Sequence, residues 1–191
     1  RGLGDVYKRQ QVTMRTEYDY PYKASAMVYF TDIREACRAV VAMKKLTDPK
    51  EEWIVKGAEL LDYKSLSSVD DPIYIKYKGE ATDPSGLTAV LTETKARTPE
   101  ELKTRIAAIV QTLSAFHTYI PVHFTDNPAE YGKYWAIRSG IFPSVGGTRR
   151  PGTTCLIEDV AFHIEDLPEA TADLQALIAR HGYDDACIYG H

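Results

Sequence analysis

The sequence has 191 residues, with 23 basic against 27 acidic side chains and a formal charge of -4. That length suits one domain with a sizeable core, and the acidic balance argues against non-specific attachment to nucleic acid or anionic membranes, which needs a net basic face. No apolar run approaches the roughly 20 residues needed to cross a bilayer.

The first ten residues, RGLGDVYKRQ, lack an initiator methionine and resemble the translated end of a sequencing-library adapter. They are set aside from fold reasoning as one sets aside a cloning scar. They hold three basic residues and one acidic one, so the remainder carries 20 basic against 26 acidic side chains and a formal charge of -6. Tyr18, Tyr20 and Tyr22 then alternate along a linker without the basic interleaving of a nucleic-acid platform.

Three segments share one grammar: an apolar run, a capping residue with glutamate three positions on, and a helix-period pattern. In the first, AMVYF precedes Asp32 and Glu35, with Ile33, Ala36, Cys37, Val40 and Val41 on the helix face. KGAELLDYKSL follows as a partly extended segment, and IYIKYKGEATDPSG alternates like a strand although Pro72 and TDPSG suggest a loop or hairpin insertion. In the second, LTAVLTETKA leads to Thr98, Pro99 and Glu101 and a stripe of Leu102, Ile106, Ile109, Val110 and Leu113, followed by the strand-like TYIPVHFT. In the third, TTCLIEDVAF leads to Asp166 and Glu169, then Ala170, Leu174, Leu177 and Ile178, closed by Gly182 and followed by DDACIYG. Strands alternating with one-sided helices predict an α+β domain, a ferredoxin-like antiparallel or mixed sheet covered by helices.

Cys37, Cys155 and Cys187 sit far apart in apolar stretches and read as buried thiols of a reducing compartment, not as a disulfide or zinc framework. A cytoplasmic location follows, with attachment at the inner-membrane surface left open. His117, His123 and His181 form no ligand spacing, and His181 before Gly182 suits a helix C-terminus. His163 reads as a helix-entry residue, a cavity histidine being the alternative.

Arg138 lies in an aromatic and apolar segment three residues after Trp135. It must face solvent or pair with an anion, because a lone buried charge is costly. A structural ion pair and a carboxylate ligand are both open on these grounds, and a planar guanidinium suits either. Arg149 and Arg150, beside Gly146, Gly147 and Gly152, form a basic loop that is either solvated or meets a carboxylate or a phosphate.

Three motifs stand in order through the C-terminal third: W-x-x-R at Trp135 to Arg138, P-G-T-T-x-x-I-E-D-V at Pro151 to Val160, and Y-G-H at Tyr189 to His191. Upstream lie AELLDYKSL, with an E-L-x-D pattern, and QVTMRT. Together they resemble the substrate domain of FAD-linked oxidases of the vanillyl-alcohol-oxidase superfamily, and within it the D-lactate and D-2-hydroxyglutarate dehydrogenases, especially the large bacterial type with an iron-sulfur domain. The resemblance implies that residues 11 to 25 leave a preceding FAD domain of the same chain and that 26 to 191 are the substrate domain, cut short at its C-terminus. It implies FAD, held mainly by that preceding domain, with a divalent metal in several members and an iron-sulfur cluster beyond the sequence given.

The implied reaction is oxidation of a small D-2-hydroxy acid to the 2-oxo acid, hydride passing to FAD. Arg138 then clamps the substrate carboxylate. His191 opens the family's G-H-x-x-x-G-N-x-H, whose histidines activate the hydroxyl directly or through metal. Asp159 falls on an acidic position of the third apolar run, where strand alternation lets at most one of Glu158 and Asp159 face a cavity. Trp135, Arg138, Arg149 and Asp159 are thus the candidate substrate contacts, and His191 the candidate catalytic and metal-binding residue. The alternative is a non-catalytic ferredoxin-like module that binds a small ligand or associates with another protein.

Overall fold

The computed structural model describes residue 16 and residues 18–50, 52–156 and 159–191. The adapter-like Arg1 to Gln10, most of QVTMRT and Glu158 lie outside the described residues.

In chain order the elements are β1 (Tyr22–Phe30), α1 (Ile33–Lys44), β2 (Val55–Leu61), α2 (Tyr63–Ser68), α3 (Pro72–Glu80), β3 (Thr88–Ala96), α4 (Pro99–Leu113), α5 (Pro128–Thr148), α6 (Leu167–Arg180) and β4 (Tyr189–Gly190). The sheet order is β1-β3-β2-β4, and every neighbouring pair is antiparallel. Because β3 runs antiparallel to both β1 and β2, those two are parallel to each other with β3 between them. That is the split β-α-β of the ferredoxin-like arrangement. After α4 the chain returns along the free edge of β1, touching it at Thr118 opposite Phe30 and Thr125 opposite Ser25. The strand expected over TYIPVHFT is thus reduced to two bridges, the chain between them being irregular around Pro121.

Strand alternation sends β1 side chains to two separate cores. Ala26, Val28 and Phe30, with Leu60 and Val90, meet Ile33, Cys37 and Met43 of α1 and Ile109 and Leu113 of α4. Ala172 of α6 joins the same core, and Glu169 fixes α6 to α1 through Arg34 at 2.9 Å and Arg38 at 3.6 Å. On the opposite face Met27, Tyr29, Leu61, Ala89 and Leu91 meet Leu66 of α2, Tyr74 of α3 and Ile141 of α5. Burying each of these large side chains contributes about 1.5–3 kcal/mol, so the sheet is held from both sides.

Two of the three predicted caps form. Asp32 accepts from the Glu35 N–H at 2.9 Å and Thr98 from the Glu101 N–H at 3.1 Å. The third does not: α6 is entered through a 3-10 turn at Ile164–Asp166, which leaves Asp166 with helical backbone angles and no side-chain cap bond. A capping residue needs extended backbone for its carboxylate to reach forward. Glu169 is accordingly free to pair with α1. His163, exposed at the start of that turn, is a helix-entry residue, and α6 closes at Gly182, whose φ is +72°.

The expected strand over TTCLIEDVAF is also absent among its described residues, which run as irregular chain with Leu156, Val160 and Phe162 exposed. The chain of 118–125 lines one side of the sheet and β4 the other, so this segment finds no ladder there. IYIKYKGE is neither strand nor loop but α3, started by Asp71, which accepts from the Tyr74 N–H at 2.8 Å, and by Pro72. In the turn before β3, a Cβ on Gly86 would collide with the carbonyl of Thr31, so that close approach requires glycine. Cys37 is buried as expected, whereas Cys155 and Cys187 are only half-buried.

Candidate functional site

Helix α5 carries the two residues of the W-x-x-R motif onto the sheet. Asn127 caps it by accepting from the Ala129 N–H at 3.0 Å, Pro128 occupies its first turn, and fully buried Ile141 anchors its middle. Positions three apart lie on one helix face, so Trp135 and Arg138 approach the same side of the sheet one turn before Ile141.

That end of the sheet face is polar. Ser25, Gly57 and Glu93 share one rung across β1, β2 and β3. Trp135 Nε1 donates to Ser25 Oγ at 3.3 Å, and its ring lies over Gly57, with ring carbon Cη2 3.9 Å from the place of a Cβ there. Beside it Lys95 pairs with Glu93 at 3.0 Å.

On the next rung Arg138 meets Glu59, its Nε donating to Glu59 Oε2 at 2.8 Å. The Tyr189 ring flanks the guanidinium, with the ring centroid 4.9 Å from Cζ. The two charged side chains are 24% and 18% exposed. A half-buried guanidinium is therefore held on its Nε side and on one face, while Nη1 and Nη2 have no hydrogen-bond partner among the described residues and are not sealed from solvent. An arginine so held presents a two-donor edge matched to a planar carboxylate.

The chain end comes to the same place. β4 pairs Tyr189 with Leu61 and Gly190 with Leu60, and His191 follows directly, outside the paired residues. Tyr189 lies on the face of Glu59 and Arg138, where its ring meets the guanidinium. His191 itself is exposed. Two motifs widely separated in sequence, W-x-x-R and Y-G-H, thus meet at Arg138.

Arg149 and Asp159 do not join this cluster. Arg149 ends α5, about 16 Å along the helix axis from Arg138. It is exposed and folds onto the Gly146 and Thr153 carbonyls. Arg150 makes an exposed pair with Asp185 at 3.5 Å. Asp159 is exposed on irregular chain, without a hydrogen bond or ion pair among the described residues.

Sequence reasoning did not single out Glu59 as the partner of Arg138. The signal was present: strand alternation puts Glu59 on the face of Leu61, and an acid on a helix-covered face calls for a cation. Asp62, the last residue of the E-L-x-D pattern, has a different role. Its carboxylate caps α2, accepting from Ser65 N–H at 2.8 Å and Ser65 Oγ at 2.7 Å, while its own N–H donates to the Ile188 carbonyl at 3.0 Å. Burial pushes its pKa up to about 6, against the lowering effect of those hydrogen bonds. Asp62 therefore fixes the junction of β2 and α2 and ties it to the chain leading to Tyr189.

A ferredoxin-like sheet bearing a half-buried arginine with an open two-donor edge defines a domain suited to receive an anion. The chain belongs to the family of FAD linked oxidases, C-terminal domain, whose family model matches residues 20–191. No curated protein matches it. Membership makes it part of a flavin-dependent oxidoreductase with FAD as cofactor, and it favours an enzyme over an unrelated association module.

The starts of the described helices do not fit the diphosphate of FAD. A helix start binds a diphosphate through its bare N–H groups. Here all six described helices carry an acid in the cap or first turn: Asp32 and Glu35, Asp62, Asp71, Glu100 and Glu101, Glu130, and Asp166 and Glu169. No group of three His, Cys, Asp or Glu able to hold a metal occurs among the described residues. No described helix is long and apolar enough to cross a membrane.

Proposed function

We propose that this domain supplies the substrate-carboxylate subsite of an FAD-dependent dehydrogenase that oxidises a D-2-hydroxy acid, of the lactate or 2-hydroxyglutarate class, to the 2-oxo acid. The observation that carries the reading is the open Nη edge of Arg138, flanked by the ring of Tyr189 two residues before His191. The redox step belongs to the cofactor. The chain's own residues bind and orient. Arg138 receives the substrate carboxylate on Nη1 and Nη2, Trp135 walls the subsite, and His191 accepts the proton of the adjacent hydroxyl. A hydroxy acid held by its carboxylate keeps its α-carbon one bond from the clamped group, so fixing the carboxylate also constrains the reacting carbon. Arg149 and Asp159 are assigned no role in this scheme.

The test is steady-state kinetics of the full-length enzyme carrying Arg138→Lys. Lysine keeps the charge but not the planar two-donor edge. The expected result is a raised KM and a kcat/KM for hydroxy acids lowered about 10- to 100-fold, the worth of a charge-assisted hydrogen bond. Wild-type kinetics would remove Arg138 from the site.

A further inference from the structure

We infer that Glu59 is a positioning residue for Arg138: it turns the guanidinium so that the Nη edge faces the ligand, and its charge holds the affinity for the carboxylate below what Arg138 alone would give. The inference rests on the proposed role of Arg138 as the carboxylate clamp.

Glu59 is the one carboxylate paired with Arg138 among the described residues, and the contact is made at Nε, not across both Nη atoms. That choice of atom matters. A carboxylate set squarely on the two Nη donors would fill the edge a substrate needs. One set at Nε leaves that edge open while fixing the rotation of the guanidinium plane. The Tyr189 ring constrains one face of the same plane, with its centroid 4.9 Å from Cζ. Glu59 itself is held by the sheet, since its strand neighbours Ala58 and Leu60 are paired to Thr92 and Val90 of β3.

The charge has a second effect. A guanidinium only 24% exposed would be costly without a counter-charge, and Glu59 provides one when no ligand is present. The nearby Lys95 is already matched by Glu93 at 3.0 Å. These four charges therefore sum to zero before a ligand arrives, and a substrate carboxylate enters with Glu59 close by. The repulsion lowers affinity for substrate and for the equally charged 2-oxo acid product alike, which favours product release.

The substitutions that separate these effects are Glu59→Gln and Glu59→Ala. Glutamine keeps an oxygen for Nε and removes the charge, whereas alanine removes both. Two measurements on the 191-residue chain decide the matter: the nitrogen-15 signal and hydrogen exchange of Arg138 Nε–H, assigned by its loss in Arg138→Lys, and titration with D-lactate and D-2-hydroxyglutarate. The Nε–H is expected to exchange slowly in wild type and Glu59→Gln, and fast in Glu59→Ala. Both hydroxy acids are expected to bind Glu59→Gln roughly three- to tenfold more tightly than wild type, the size of removing one like charge at this range in a partly solvated site. Binding to Arg138→Lys should be weaker than to wild type.

A fast-exchanging Nε–H in wild type, or no gain of affinity in Glu59→Gln where wild type binds, overturns the inference about Glu59. Failure of wild type and Glu59→Gln alike to bind either acid overturns the clamp reading and with it the effect on affinity, while the exchange data still decide whether Glu59 orients the arginine.

Discussion

Asp62 shows how one buried residue ties stability to pH. Its folded pKa, pushed up to about 6 by burial, lies above its ordinary value of 3.8. Between about pH 4 and 6 the folded chain keeps a proton that the unfolded chain releases, so stability falls as pH rises through that window and is level above it. The difference is on the order of 2–3 kcal/mol. Asparagine caps a helix as well as aspartate and carries no charge. Chemical denaturation of Asp62→Asn between pH 4 and 7 is therefore expected to lose most of this slope and to be more stable than wild type at pH 7. An unchanged slope would remove Asp62 as its source. Tyr29 donates to Asp71 at 2.9 Å on the same sheet face, and burial raises the pKa values of both. There the tyrosine hydrogen bond offsets part of the cost of burying the acid.

At the scale of elements, α5 is both a core helix and the carrier of the site. Ile141 is fully buried against the sheet, one turn past Arg138. Ile141→Ala is expected to cost about 2–5 kcal/mol of stability. It should also weaken hydroxy-acid binding, because the cavity loosens the helix that aims Arg138. Melting and ligand titration of the variant check both, and a destabilised variant with wild-type affinity would separate the helix anchor from the site. The caps make a further contrast. Asp32→Ala should cost about 1 kcal/mol, whereas Asp166→Ala should cost much less because Asp166 makes no cap bond.

These elements also show what could be read without coordinates. Strands β1 and β3 and helices α1 and α4 follow from hydrophobic period and capping residues, because there the local signal and the tertiary environment agree. Helix α3 was missed because its apolar and polar residues alternate, although Asp71-Pro72 is a helix-start signal. The segment around Asp159 reads as a strand from composition, but a strand needs a partner edge, and no local pattern reports whether one is free. Arg138 stood out in the sequence because its surroundings are apolar. Glu59 did not, since its pairing depends on a helix placed across β2 from far along the chain.

At the scale of the whole molecule, the acidic helix N-termini bear directly on cofactor binding. The described helix ends offer no bare cradle for a diphosphate, so the 191-residue chain is expected to purify without visible flavin absorbance and to show no saturable quenching of added FAD. Stoichiometric flavin would contradict that reading. What the chain does hold ready is one guanidinium edge, placed by a core helix and steadied by Glu59 and the Tyr189 ring.

The most direct measurement is a crystal structure of the flavin-loaded full-length enzyme with a D-2-hydroxy acid or its 2-oxo product bound. The ligand carboxylate is expected within about 3 Å of both Nη atoms of Arg138, with Glu59 still on Nε. A carboxylate seated on another cation, with the Nη edge of Arg138 unengaged, would contradict the clamp role of Arg138.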